Sequence, residues 1–545
     1  MEAEMQTSPR RLWLEATVAC LAVGAAYTWL LSAIMVDDVL RYITELGDNR
    51  FDWDLGHLWM QPLALLVYRA TAGALGIVGT LEAVNVASVA LGCAVFYETL
   101  RRLGHGMARS ALAMALVAVS FNLLSLGPTA HIKLMVFPAL AMAFRHAVIW
   151  ERKAEDGDWS VSDAVWSGVW LGIASNLLVS VLPAGVFMAA LMWFYAVRQG
   201  QSPASGFKVM LPFGLALTLS GLAGVLLAYA VAHGSNTTEA ETVRQFVFGG
   251  LKEKQDLHVG VASLSEMPLR FAFSLINNFA YLPSLGPLGR AWMWDMLPSV
   301  QPVFWSLLGQ AALAAASGLC IAWIVGVGVL KSMQRRPGFL IPIAYILGAT
   351  SFSFYYNLND PEHWFHFTLP IVFIALHMRW RVMDKVVLGL WLPLLLVVNM
   401  AGYGVPKAVF ALEARESQMR EAIGSSGLYV GFAAYPGEPD SSLFRLGGIR
   451  RFNIDLVQMN ETKADNTLLL QRLGTEIDAA HARGGRVLVF RALDPFDWRG
   501  PVMQVALAGL TRDEIRRFLE SRYEVTGPED VGGFPAWKLG PRARP

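Results

Sequence analysis

The sequence predicts a mainly α fold, a polytopic bundle of about eleven transmembrane helices followed by a C-terminal α/β domain. Three observations predict it. Of 545 residues, 54% are hydrophobic and 16% charged, whereas an ordinary soluble chain carries roughly 25% charged residues. The apolar residues gather in runs of about 20, the length that crosses a hydrocarbon core as a helix. Near residue 405 the pattern changes to short strand-like runs and amphipathic helices.

The bulk charge excludes several classes. A net charge of +1 gives no global field for nucleic acid. The three cysteines, Cys20, Cys93 and Cys320, lie in apolar segments at unrelated spacings, so neither a disulfide framework nor a thiolate metal site is expected. The first apolar run, "LWLEATVACLAVGAAYTWLLSAIM", exceeds a signal-peptide core and lacks a small-residue cleavage site, which reads as a retained anchor.

Cytoplasmic flanks collect Lys and Arg, so six basic clusters thread the chain. They are Arg10/Arg11, Arg101/Arg102/Arg109, Arg145/Arg152/Lys153, Arg198/Lys208, Lys331/Arg335/Arg336 and Arg379/Arg381/Lys385. If all are cytoplasmic, spans pair as outward hairpins: 110 to 127 with 132 to 149, 161 to 180 with 182 to 198, 209 to 232 with 302 to 330, and 338 to 356 with 365 to 378. Between spans 12 to 36 and 77 to 100, the apolar piece 57 to 75 has no partner. It is expected to lie along the outer surface as an amphipathic helix. A last span, 386 to 403, leaves the C-terminus outside and the N-terminus in the cytoplasm.

Residues 1 to 404 thus form the membrane module, with a first outer loop at 37 to 76 and a long outer loop at 233 to 301. The apolar part of that loop, "LRFAFSLINNFAYLPSLGPLGRAWMWDMLP", is expected to rest on the bilayer. Residues 405 to 545 form a soluble extracytoplasmic domain with strands "GLYVGF", "FNIDLVQM", "RVLVF" and "FPAWKLG". Its helices are "NTLLLQRLGTEIDAAHARGG" and the Thr-capped "TRDEIRRFLESR". No internal repeat is visible, which argues against a transporter built of paired halves.

Chemistry concentrates in the first outer loop, "MVDDVLRYITELGDNRFDWDLGHLWMQPLALLVYR". Asp37 and Asp38 follow the first span directly. They read as caps of a helix "VLRYITEL", or as a general base whose proton affinity is raised by an adjacent like charge and an apolar wall. Asp52 and Asp54 form a D-x-D that reads as a metal pair or an interfacial turn. Glu82 and Asn85 open the second span and read as cavity lining or helix packing. The other dense cluster is "YYNLNDPEHWFHFTLP", where Asp360, Glu362, His363, Trp364 and His366 share an outer loop. Three readings stand there: a divalent-metal site, aromatic donor recognition, and an interfacial belt.

The acidic pair after the first span, followed by "GHLWMQPL", resembles the GT-C superfamily of integral-membrane glycosyltransferases. In that superfamily an acidic residue stands just after the first span, and the first outer loop carries a second surface helix with a His-Pro-Pro-Leu type opening. Here Leu-Trp-Met-Gln separates His57 from Pro62. The segment "GIASNLLVSVLPAGVFMAALMWFYAVR" is similar to the superfamily's broken pair of short spans. The resemblance covers residues 10 to 400.

It implies an inverting transfer from a polyprenyl-phosphate-type sugar donor to a cell-envelope glycan, lipid or protein acceptor. Asp37 or Asp38 would be the base, on the outer face of an inner membrane. Phosphate ligands would come from Arg69, Lys133, Arg244, Lys252, Lys254, Arg270 or Arg290, with Arg270 and Arg290 favoured. His363 and Trp364 would bind donor. His57, Asp52, Asp54, Asp360, Glu362 and His366 would line the cavity or meet the acceptor. The sequence requires no metal and does not name one. The rivals are a lipid-linked oligosaccharide flippase, which needs charges near span centres, and a glycan polymerase or ligase.

Overall fold

A computed structural model describes residues 8–31, 39, 42–43, 46, 53, 57–235, 241–246, 267–281, 307–334, 338–355, 365–377, 382–405, 412–432, 449–462, 465–490, 492–493 and 510–542. Each stretch expected to span contains helix where described. The helices are α1 (Pro9–Trp29), α2 (Met60–Ala70), α3 (Gly76–Arg102), α4 (Met107–Ala118), α5 (Phe121–Leu126), α6 (Phe137–Glu155), α7 (Val161–Leu177), α8 (Leu182–Arg198) and α9 (Pro203–Gly234). They continue as α10 (Met267–Asn277), α11 (Leu307–Met333), α12 (Leu340–Tyr355), α13 (Thr368–His377) and α14 (Val382–Leu396), which runs into a π-helical turn, Val397–Gly404. Among the described residues, 6 helices are long and apolar enough to cross a membrane. The remaining apolar helices are shorter.

Local chemistry sets the helix starts. Ser8, Ser160 and Ser202 accept hydrogen bonds from the first-turn amides of α1, α7 and α9, satisfying donors the helix leaves open. Pro9 and Pro203 stand at the first helical positions, where no amide hydrogen is needed. The break expected in "GIASNLLVSVLPAG" is present. Leu178 is extended, Val179–Val181 makes a 3-10 turn, and Pro183 opens α8. Small residues let the flanking helices approach closely. A side chain on Gly172 would strike the Ser220 hydroxyl of α9, and one on Gly348 of α12 would strike the Ala184 backbone of α8.

The apolar piece 57 to 75, expected as a surface helix, is helical at Met60–Ala70 as α2, packed against α3. The long outer loop departs from expectation. Its segment after α10 does not rest on a bilayer surface but enters the bundle, where Asn278, Phe279 and Ala280 have no exposure. The asparagines explain this, because a buried amide must be satisfied. Asn122 Nδ2 donates to Asn278 Oδ1 (2.8 Å), Asn278 Nδ2 donates to Thr368 Oγ1 (3.1 Å), and Asn399 Oδ1 accepts from the Tyr281 amide (2.8 Å). Backbone bonds from Phe121 and Asn122 to the carbonyls of Phe279 and Asn278 complete the seam.

The C-terminal unit holds α15 (Leu412–Ile423), β1 (Leu428–Gly431), β2 (Arg450–Asn453), α16 (Ile454–Val457), α17 (Asn466–Ala482), β3 (Val487–Phe490), α18 (Arg512–Arg522), β4 (Tyr523–Val531) and β5 (Phe534–Pro541). The sheet order is β2-β1-β3-β5-β4, with β2, β1 and β3 parallel and β5 antiparallel to both β3 and β4. Alternation along the strands sorts the faces. Leu428, Val430, Val487 and Val489 pack under α17 and α18, while Tyr429, Leu488 and Phe490 pack under α15. One expected strand is corrected: "FNIDLVQM" is strand only to Asn453 and then turns helical. Its apolar residues fit a half-buried helix as well as a strand, and periodicity over eight residues does not separate the two.

Candidate active site

The ionic contacts divide the bundle into two ends. Glu15 of α1 accepts from Arg101 of α3 at 2.8 Å, from Arg11 at 3.0 Å and from Tyr97 at 3.1 Å. Arg145 of α6 stands 3.2 Å from Glu98 of α3, and Arg102 also pairs with Glu98. Arg109 donates to the carbonyl of Leu376, and Arg198 to the carbonyls of Ser332 and Met333. The Glu151 carboxylate, fully buried, accepts the amides of Leu340 (2.9 Å) and Ile341 (3.0 Å) at the start of α12. Among the described residues, these bonds gather Arg11, Arg101, Arg102, Arg109, Arg145 and Arg198 at one end of the bundle.

The first outer loop emerges at the opposite end. Lys133 and Glu151 lie on one continuous helical run, 18 residues or about 27 Å of rise apart. Val39, Tyr42, Ile43 and Leu46 are helical and buried in the bundle core. Their spacing is that of one helix face, so the helix expected at "VLRYITEL" docks inward. Tyr42 meets His131 edge to face, with ring centroids 6.2 Å apart. Trp53 packs on Trp59 and Phe246, and the Trp59 indole donates to the Gly224 carbonyl at 3.0 Å. The first loop therefore lies against α9 and against the 3-10 turn Ile132–Val136 that opens α6.

Lys133 sits on that turn and is only 4% exposed. An ammonium is rarely so buried without an oxygen or anion beside it. His131, two residues earlier, is fully buried. Asn85 of α3 fixes the preceding segment, its amide donating to the carbonyls of Leu126 (2.7 Å), Gly127 (3.2 Å) and Thr129 (3.2 Å). Of the two roles open to Asn85, packing is what the structure displays. Across the bundle, the Ser180 hydroxyl lies 2.9 Å from His366 Nε2, both buried. Phe365 beside His366 meets Phe137, one turn beyond Lys133, edge to face at 6.4 Å. The turn carrying Lys133 and the turn carrying His366 thus share this end.

Other residues expected at the site fall differently. Gln61 is buried and His57 half-buried at the start of α2, while Arg69 is exposed in its last turn. Asp37, Asp38, Asp52, Asp54, Lys252, Lys254, Arg290, Asp360, Glu362, His363 and Trp364 lie outside the described residues, as does the side chain of Arg270 on α10. Among the described residues, no group of three His, Cys, Asp or Glu could hold a metal ion. His131, Ser180 and Tyr42 were not singled out from the sequence. The available signals were the histidine two positions before Lys133 and the polar residue at the break of the short span pair.

No protein-family model matches the chain, and no curated protein matches it. Among solved structures, the chain is similar to the Archaeoglobus fulgidus oligosaccharyltransferase crystallised with a tethered acceptor peptide. The TM-score is 0.45 at 10% identity, covering 96% of this chain and 74% of that one. A likeness of this extent decides neither activity nor substrate.

Proposed function

We propose that the chain is an integral-membrane glycosyltransferase that moves a sugar from a polyprenyl-phosphate-type donor to an extracytoplasmic acceptor. The observation that carries this reading is the separation of the two ends. The basic clusters gather at one end, and the buried cation and imidazoles, Lys133, His131 and His366, stand at the other, where the first loop docks. In this reading about eleven spans have their basic end cytoplasmic, the site is on the outer face, and residues 405 to 545 are extracytoplasmic.

Sugar transfer from a lipid phosphate needs a hydroxyl activated, an oxocarbenium-like centre accommodated and a phosphate charge neutralised. In this reading Asp37 or Asp38 takes the acceptor proton, and one displacement inverts the anomeric centre. Lys133 is a fixed point charge for the phosphate in a site that excludes water, where such a charge counts for more than in solution. His366, oriented by Ser180, faces the sugar or acceptor. The C-terminal unit positions the acceptor.

The test is transfer in membranes from a panel of polyprenyl-phosphate sugars, with wild type, Asp37→Asn and Asp38→Asn compared with and without chelator. One folded variant that binds donor yet loses at least about a hundredfold in rate identifies the base. Unchanged transfer by both variants, or labelled lipid crossing the membrane with no donor consumed, would sink the reading.

A further inference from the structure

We propose that Asn278, carried on the long outer loop, is a positioning residue for transfer: its side chain fixes the turn bearing His366 against the segment that leads into Lys133. This role rests on the proposed function, in which Lys133 meets the phosphate and His366 the sugar or acceptor. The bridge is a directional relay. Asn122 Nδ2 donates to Asn278 Oδ1 at 2.8 Å, which leaves Asn278 its amide hydrogens, and Asn278 Nδ2 donates to Thr368 Oγ1 at 3.1 Å. All three residues are fully buried.

Each end of the relay meets a braced segment. Beyond Asn122, Ser125 Oγ donates to the Asn122 carbonyl (3.0 Å), Thr129 Oγ1 to the Leu126 carbonyl (2.6 Å), and the His131 amide to Thr129 Oγ1 (3.2 Å). The Asn85 amide holds the carbonyls of Leu126, Gly127 and Thr129 from α3. Lys133 stands two residues after His131, in the 3-10 turn Ile132–Val136. At the other end, Thr368 opens α13 directly after the 3-10 turn Phe365–Phe367. His366 in that turn lies 2.9 Å from Ser180 Oγ.

Other bonds already hold the loop in the bundle. The amides of Phe121 and Asn122 donate to the carbonyls of Phe279 (3.0 Å) and Asn278 (3.1 Å). Asn399 donates to the Phe279 carbonyl (2.5 Å) and accepts from the Tyr281 amide (2.8 Å). Buried amides cost free energy unless paired, and apolar groups of the same shape in their place can be nearly neutral for stability. What a paired polar network adds is one geometry in place of several. Here that geometry is the placement of two turns far apart in sequence, each carrying a buried base. A displacement of about 1 Å between reacting groups costs up to about a hundredfold in rate.

The experiment measures transfer by the full-length protein in membranes, at limiting and saturating donor, for wild type, Thr368→Val and Thr368→Ser. Rates are taken per folded molecule, and melting is followed in detergent. Valine keeps the shape and removes the accepting oxygen, whereas serine keeps the hydroxyl. Thr368→Val is expected to lose about tenfold or more in kcat with donor KM within about twofold, and Thr368→Ser to stay within about twofold of wild type in both. Wild-type kcat in Thr368→Val at any melting temperature, a loss confined to donor KM, or an equal loss in Thr368→Ser would each overturn the proposal. If Thr368→Val does not fold, Thr368→Ala is read by the same criteria, and failure of both to fold makes the relay structural and overturns the proposal too. A wild type that transfers no sugar defeats the transferase reading and this role with it, whereas wild-type transfer with an indifferent Thr368→Val defeats this role alone.

Discussion

At one end of the helix bundle, Glu15, Glu98, Glu151 and Asp163 each hold two or more donors or cationic groups, and Arg101, Arg145 and Lys153 reach across helix boundaries to meet them. At the other end, Lys133 and His366 are buried on two short 3-10 turns, with His131 at the start of the first, beside the helix break at Leu178. Reciprocal ion pairs fasten helices and leave no charge over for chemistry. Buried bases on turns are costly to desolvate, and groups of this kind are candidates for chemistry. In the proposed reading, the first end serves assembly and the second serves transfer.

The hardest way to break that contrast is at the acidic pair. Asp37→Asn or Asp38→Asn should cut transfer by about a hundredfold or more in one of the two while leaving melting in detergent unchanged. Equal melting loss with no rate loss would make the pair a helix cap. Next is Lys133→Met, which keeps the stem and removes the charge. A loss of about thirtyfold is expected, near 2 kcal/mol, the scale of a charge-assisted contact, and seen mainly in donor KM. A variant that melts higher with transfer intact would return Lys133 to the ranks of snorkelling lysines.

The reverse holds at the other end. Glu15→Gln leaves Arg101, only 10% exposed at its side chain, without its charged partner. It should cost about 2 kcal/mol of stability while transfer per folded molecule stays within about twofold. Transfer that falls with the mutation would mean that the two ends are coupled.

These distinctions were legible in the sequence to different degrees. Long apolar helices were, because about 20 apolar residues closed by Arg and Lys read as helix, and six such helices stand among the described residues. The strands "GLYVGF" and "RVLVF" and the Thr511 capping box of α18 were equally plain. The entry of Asn278–Tyr281 into the bundle was not, since it depends on Asn122 and Asn399, more than a hundred residues away on either side. His131 and Ser180 were missed for the same reason. A buried polar residue in an apolar run looks like any other until the partner across the fold is known.

The smallest expected effect tests whether the assembly end is as inert as its pairing suggests. His377 Nδ1 lies 2.9 Å from the Phe373 carbonyl, which can only accept, so Nδ1 carries the hydrogen and Nε2 is a lone pair. His105 Nε2, 3.0 Å away, must therefore donate to it. Burial first, then His377 and Arg109 beside it, hold His105 down at about 3, against an ordinary 6.5. Between those values the unfolded chain takes the proton and the folded chain refuses it. Stability is complete above pH 6.5 and is lost as pH falls toward 3. His105→Gln keeps a donor for His377 and removes the titration. The variant should melt like wild type at pH 7.5 and hold its midpoint better by roughly 2 °C at pH 5, where 1.5 pH units below 6.5 correspond to about 2 kcal/mol and a chain of 545 residues moves by about 1 °C per kcal/mol. Parallel melting curves across that range would show that the His105–His377 contact opens to water and contributes nothing to the acid response.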